Sequence, residues 1–424
     1  MTTDVYEELR RKALTLVDDA GLDPATEREA LRTLLETTVE DYQRRAHLGQ
    51  GKSLADPVAT LERLLESMTG RGPLGRLLAR EDVEEIFVEG DRLTYLEAGG
   101  ALRSADTPTT EAESRQLIEQ LLATTDRRLD ASSPIAQARI LDGTARLTAV
   151  IPPVSDRLSA TIRRYALRRQ TLESLVALGS LSPPSAAFLE AAMSASASVI
   201  VSGPPGAGKT SFLSALVASV PGEHCVRSCE EVRELHVPLL HGSYYEARPP
   251  SLDGTGEISL RDLVKAILAM RPDLIVVGEV RGAEAFELTR AVNAGCGMAG
   301  TIHANSATDA LHALVNAALM AGENIPEPVV RKVFSSSLDL VVHLDRGPAS
   351  GGSGIVRQVM EIRALVPALH DDFSTEPIFV RERLGASLRW TGALPPEPLS
   401  RRIEHALPHR VSLSSFLAEG GPGS

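Results

Sequence analysis

The spacing of apolar residues changes character along this chain, and each change predicts a different kind of element. After Asp56, the residues Val58, Leu61, Leu65 and Met68 recur at helical spacing and predict one buried helix stripe. Asp23-Pro24 and Asp56-Pro57 each set an N-cap carboxylate before a proline at the first helical position, where the missing N–H costs nothing. Residues 1–70 therefore read as an N-terminal helical segment, closed by Gly70-Arg71-Gly72-Pro73.

Over residues 71–170 short alternating and helical pieces take turns. Glu85-Ile86-Phe87-Val88 and Leu93-Thr94-Tyr95-Leu96 flank Glu89-Gly90-Asp91-Arg92, which suits a hairpin turn. A helix from Glu111 to Thr124 follows, then strands at Ala138 to Leu141 and Ala145 to Ile151, split by Asp142-Gly143, and a last strand at Ser159 to Arg164. The pattern predicts a small α+β domain.

From 171 to 346 the runs become short and solidly apolar, at Ser198 to Ser202, Leu274 to Val277 and Leu338 to Leu344. Strands buried on both faces read this way, and their alternation with helical stretches predicts an α/β domain built on a parallel sheet. After Arg346, Gly347-Pro348 and Gly351-Gly352-Ser353-Gly354 interrupt the pattern. Residues 347–424 read as C-terminal strands, at Ile355 to Leu365 and Pro377 to Arg383, and a tail that ends in a disordered stretch, Glu419 to Ser424.

Composition narrows the classes. A chain of 424 residues is long enough for two or three domains, and its net charge of −12 disfavours direct contact with nucleic acid, which is bound through Lys and Arg. Cys225, Cys229 and Cys296 are too few for a disulfide framework and lack zinc-ligand spacing. The N-terminus has no apolar core of a signal peptide, and no run approaches the roughly 20 apolar residues of a membrane span. The expected location is the cytoplasm, with any membrane contact made through partners at its inner face.

The strongest chemical signal is a strand, Val199 to Ser202, running into Gly203-Pro204-Pro205-Gly206-Ala207-Gly208-Lys209-Thr210 and then, from Ser211, into an apolar helix. Glycines let successive backbone N–H groups face phosphate oxygens while the helix adds its positive end. Lys209 is expected on the β- and γ-phosphates and the Thr210 hydroxyl on Mg²⁺, so the cofactors expected are ATP and Mg²⁺. Hydrolysis also needs a carboxylate. Leu274-Ile275-Val276-Val277-Gly278-Glu279 delivers one at the carboxyl end of a buried strand, where open α/β sheets place their sites. Glu279 has a competing use as a partner of Arg281. Glu230, Glu231 and Glu234 form an acidic cluster suited to orienting water or supporting Mg²⁺, or else a solvated face, and Gly300 to Ser306 end a strand on His303.

Read in order, GPPGAGKTS, CEEVREL, ARPPSLDGTGEISLRDLVKAILAMRPDLIVVGEVRGAEAF and GTIHANS resemble the P-loop, acidic box, linking segment, Walker B strand and histidine box of the secretion ATPase superfamily. Within it the likeness points to the CpaF and tight-adherence TadA branch, whose members drive Flp-type pili. LLAREDVEEIFVEG and ILDGTARLTAVIPPVSDRLSATIRR resemble that branch's N-terminal domain, so coverage runs from Leu74 to Leu344. The resemblance implies a RecA-like P-loop domain, a homo-hexameric ring working on inner-membrane platform proteins, and arginines that complete the ATP site. By motif position these are Arg248, Arg271 and Arg163. Two departures stand out: Glu230-Glu231 replaces the usual Glu-Asp, and Gly295-Cys296-Gly297 replaces a Gly-His stretch, which predicts altered loop geometry around His303.

The main expectation is an ATPase for Flp-type pilus assembly or type II-like secretion. A type IV secretion or conjugation motor shares the same core, and a nucleotide-binding scaffold with little turnover is the non-enzymatic alternative.

Overall fold

The computed structural model describes all residues except 1–2, 25, 71, 98–100, 108, 126, 166–169, 236, 251–253, 294, 323, 349–353, 368–371, 408–410 and 419–424. The expected disordered stretch, Glu419 to Ser424, lies outside the described residues. The chain divides into two compact units, residues 1–166 and 167–424.

The first unit opens with α1 (Thr3–Ala20), α2 (Arg28–His47), α3 (Pro57–Met68) and α4 (Pro73–Ala79). Asp56 caps α3 as its sequence suggests, its Oδ1 accepting the Ala59 amide at 2.9 Å. Asp23 does not start α2. Its carboxylate accepts the Thr26 hydroxyl at 2.7 Å, so it closes a turn, and the helix begins after Glu27. The buried face of α3 carries Thr60, Leu64, Leu65 and Met68, whereas Val58 is 70% exposed. The apolar stripe is real but its phase is set by Leu64, which the three-four spacing from Val58 passes over.

There follow β1 (Val83–Glu89), β2 (Arg92–Glu97), β3 (Leu102–Ser104), α5 (Glu111–Ala123), β4 (Ile135–Ile140), β5 (Ala145–Val150) and β6 (Ser159–Arg164), with the strands in one antiparallel sheet ordered β3-β2-β1-β6-β5-β4. A capping box between Thr110 and Glu113 starts α5. The same Glu113 also receives Tyr6 of α1 and, at 3.3 Å, Arg63 of α3, so the helical segment is fastened to α5 by a buried polar knot.

The second unit contains α6 (Leu172–Ala177), α7 (Pro183–Ser194), β7 (Val199–Gly203), α8 (Lys209–Ala218), β8 (Val226–Glu230), β9 (Gly242–Glu246), α9 (Leu260–Leu268), β10 (Leu274–Val277), α10 (Glu284–Asn293), β11 (Gly297–His303), α11 (Ala307–Leu319), α12 (Glu327–Ser337), β12 (Leu340–Pro348), β13 (Ile355–Val366), β14 (Ser374–Val380), β15 (Arg389–Trp390), α13 (Glu397–Ala406) and α14 (Leu413–Ala418). All nine strands join one sheet, ordered β15-β14-β13-β12-β7-β11-β10-β8-β9. The six from β12 to β9 are parallel and β13 to β15 continue antiparallel.

Helices cover both faces of this sheet. One apolar cluster unites α6, α7, α8, α13 and α14 with alternate residues such as Val199 and Val201, and the other unites α9 to α12 with Ile200 and Ile275. Two core layers explain why these strands are solidly apolar, since neither face meets water. Between α9 and α10 the fully buried carboxylate of Glu287 is held by Arg261 at 2.9 Å and Arg290 at 3.1 Å. Residue 347, where the sequence suggests a separate tail, lies inside β12.

Candidate active site

Three neighbouring strands end together. β11 lies between β7 and β10, and its last residue, His303, is in register with Gly203, the last residue of β7. The carboxyl ends of β7, β11 and β10 thus bring the phosphate loop, His303 and Glu279 to one edge of the sheet, the position the topology of open α/β sheets predicts for a site.

The loop is shaped by close approaches. A Cβ on Gly203 would lie 2.4 Å from the Leu344 carbonyl oxygen, and Gly206 is in the left-handed region at φ +73. Ala207 is buried in the core, Pro205 and Ser211 are exposed, and Pro204 and Thr210 are half-buried. The amino end of α8 has no side-chain cap, which leaves its first-turn N–H groups to an outside acceptor.

Lys209 is buried at 8% exposure, and its Nζ donates to the carbonyls of Gly203 at 2.9 Å and Pro204 at 3.2 Å. It also lies 3.1 Å from His303 Nδ1. On the other side of the ring, His303 Nε2 is 2.8 Å from Glu279 Oε1. Burial, then the Lys209 charge, holds the His303 pKa below its ordinary value, so the ring is neutral near pH 7. A neutral ring facing an ammonium accepts at Nδ1 and carries its proton on Nε2, toward the carboxylate. The approach to Oε1 is off the line of a good hydrogen bond, and this buried oxygen has no aligned donor.

Glu279 also meets Arg281, whose Nη2 donates to Oε2 at 2.6 Å while Nη1 reaches Glu231 Oε2 at 3.2 Å. Pairing with Arg281 and facing the phosphate loop are therefore not competing uses of Glu279. One oxygen serves each.

With this geometry in place the chain can be compared with known proteins. Residues 69–358 match the family of Type II/IV secretion system proteins. The chain belongs to this family. A type IV secretion system PtlH homologue of Bordetella bronchiseptica is 31% identical over 67% of this chain and 91% of its own length. A Mycobacterium tuberculosis protein, provisionally named for conjugal transfer, is 36% identical over 59% of this chain and 73% of its own. The pilus retraction motor PilT has a similar fold, at TM-score 0.51 and 20% identity over 70% of this chain and 82% of its own. The chain is a secretion ATPase with a RecA-like domain.

Other residues of this secretion ATPase fall differently from their sequence reading. Glu230 does not face the loop. It is 4% exposed, accepts the amides of Glu234 at 3.2 Å and Leu235 at 3.1 Å, and lies against Gly278, where a Cβ would meet its Cγ at 2.6 Å. Of the acidic cluster it is Glu231 that joins the ion network, because successive residues at the end of β8 point to opposite faces. Glu234 enters only through its backbone amide.

Arg271 stands at the amino end of β10, the opposite sheet edge from Lys209, in the left-handed region at φ +50 where it ends the turn after α9. It does not join the site within one chain. Arg248 is tied into its own loop, bonding the Gly256 carbonyl at 2.6 Å. Arg163 is exposed on β6 of the first unit, opposite Glu85. Cys296 is buried at the amino end of β11, the far end from His303, so the altered Gly295-Cys296-Gly297 stretch is remote from the site it was expected to disturb.

Sequence reading passed over Arg281 as a partner rather than an obstacle, and it missed Arg346 and Arg357, which approach the phosphate loop from β12 and β13. It also missed His343, whose Nδ1 is 2.9 Å from the Ser202 hydroxyl just before the loop.

Burial pushes the Glu230 carboxyl up to about 7, against the two amide donors that pull it down. Its proton is held more tightly in the folded chain than in the unfolded one. That stabilisation is complete below the ordinary pKa of 4.5 and is lost as pH rises toward 7. Glu230→Gln keeps an acceptor and removes the titration. Denaturant unfolding of the variant should lose less stability than the wild type between about pH 5 and 8, the difference reaching about 2–3 kcal/mol. Parallel pH profiles would refute this.

Proposed function

We propose that this protein is the ATP-driven motor of a type IV secretion or conjugation-type transfer machine, working as a hexamer at the cytoplasmic face of a membrane through partner proteins. The observation that carries the ATPase chemistry is the run from Lys209 through His303 to Glu279 across three adjacent strand ends. The cargo reading draws on the named relatives, one of type IV secretion and one named for conjugal transfer. The likeness to a pilus retraction motor is one of fold. These relatives favour transfer over pilus assembly, which stood first on the motifs alone.

The residues fit a magnesium nucleotide. The glycine loop and the uncapped end of α8 offer donors to phosphate, Lys209 adds a cation, and the Thr210 hydroxyl is the group to hold Mg²⁺. When bound, Mg²⁺ draws charge from the phosphate oxygens. Glu279 Oε1 is the acceptor for the proton of an attacking water, and Arg281 holds the carboxylate in place by donating to its other oxygen. His303 stays neutral between Lys209 and Glu279 and reports the state of one to the other.

No helix among the described residues is long and apolar enough to cross a membrane. The net charge of −12 sits poorly with direct grip on DNA, so cargo contact is assigned to partners.

The experiment is deletion of the gene in its own cell, followed by return of the wild-type copy or of Glu279→Gln. Transfer of DNA or protein to a recipient should be lost and regained only with the wild-type copy. Normal transfer together with missing pili would return the reading to a pilus motor.

A further inference from the structure

We propose that Arg346 and Arg357 form a two-guanidinium clamp beside the phosphate loop that holds the α-phosphate side of a bound nucleotide. The proposal rests on the ATPase reading and adds residues it does not use. The two arginines face each other in register on β12 and β13. An anion between two guanidinium groups meets both charges at once.

Their placement says which anion. β12 is hydrogen-bonded to β7, the strand that enters the loop, so the outer ends of β12 and β13 rise beside it. Arg357 Nε donates to the Gly206 carbonyl at 3.0 Å, and its Cδ would be 3.5 Å from a Cβ on Gly208. Arg346 Nη1 lies 2.4 Å from where a Cβ on Gly206 would sit. Position 206 needs glycine for its φ of +73, and the Arg346 guanidinium lies where a side chain there would begin.

Arg346 is exposed, and among the described residues it has no ion-pair partner; Asp345 beside it accepts only the Arg346 backbone amide, at 2.7 Å. A guanidinium held against a phosphate loop without a carboxylate is suited to bidentate phosphate contact.

The side of the loop fixes the role. The ATPase reading puts the γ-phosphate at Lys209, His303 and Glu279, and His303 and Glu279 lie on the β11 and β10 side of β7, whereas the arginine pair stands on the β12 side. A group on that side touches what ATP and ADP share. The pair is thus a binding device for both nucleotides and takes no part in breaking the terminal bond.

The test is titration of the full chain with fluorescent N-methylanthraniloyl ADP and ATP, with adenosine as competitor. Arg346→Ala should weaken ADP and ATP alike by about tenfold, with adenosine unaffected and Arg346→Lys recovering part of the loss. Arg357→Ala should act in the same direction. In turnover the defect should fall on KM far more than on kcat. An Arg346→Ala protein with wild-type melting and wild-type ADP affinity overturns the clamp, as does an equal loss for adenosine and ADP. Wild-type protein that binds neither nucleotide overturns the ATPase reading and the clamp with it.

Discussion

Glu279→Gln is expected to bind ATP about as tightly as the wild type and to hydrolyse it about 10²–10⁴-fold more slowly. Gln has the size of Glu and keeps an oxygen for Arg281, so the loss is of charge and proton acceptance rather than of packing. The effect should be large because the Glu279 oxygen nearer His303 has no aligned donor to occupy it. On the proposed mechanism that oxygen is the one that takes the water proton in the wild type. Single-turnover assays with Mg²⁺ would separate chemistry from release, and a variant that cleaves ATP at the wild-type rate would remove Glu279 from its role. A second reading of the same experiment concerns His303. With the carboxylate neutralised, the ring loses the one neighbouring charge that raises its pKa, and it should protonate at still lower pH.

Lys209→Ala should lower turnover by about 100-fold or more and weaken ATP binding as well, since on the proposed reading the side chain meets phosphate in both ground and transition states. Binding and rate therefore fall together here, in contrast with Glu279→Gln. Lys209 has a second task in the structure. Its ammonium bridges the Gly203 and Pro204 carbonyls, so the alanine variant also loosens the start of the loop. Lys209→Arg distinguishes the two losses: it keeps the charge but cannot fit the same buried space. Turnover by Lys209→Ala at the wild-type rate would show that the nucleotide binds elsewhere.

Much of this site is legible in sequence because its parts are local. A glycine loop between a strand and a helix, a carboxylate at the end of four buried apolar residues, and a histidine at the end of a strand each announce themselves within ten residues. What sequence does not carry is phase and long-range register. Glu230 and Glu231 are equally acidic, and only the pleat at the end of β8 decides that the first goes into the core and the second toward Arg281. Val58 and Leu64 are both apolar on one helix, and the packing partner decides which is buried. Arg346 and Arg357 lie far downstream of Gly206 in sequence. Nothing in their neighbours hints that a β12–β13 pair brings them to the loop.

The family resemblance made the fold and the ATPase chemistry accessible and overreached on the branch. Motif order is shared across the whole superfamily, so it identifies the engine more surely than the load. Of the arginines carried over by motif position, Arg271 stands within one chain at the other end of β10 from Glu279, where a parallel strand must hold it.

The continuous sheet has a practical consequence for anyone cutting this gene into fragments. A clone ended at the glycine-rich interruption after Arg346 would seem to respect a boundary, yet it would strip β13 from β12 and leave a long, raw strand edge open to pairing with other chains. It would also discard Arg402, whose guanidinium holds Asp339 at 2.8 Å, the same carboxylate that accepts the Ser198 amide at the root of the phosphate-loop strand. The C-terminal segment is thus the outer wall of the engine block, and a fragment without it is a different protein.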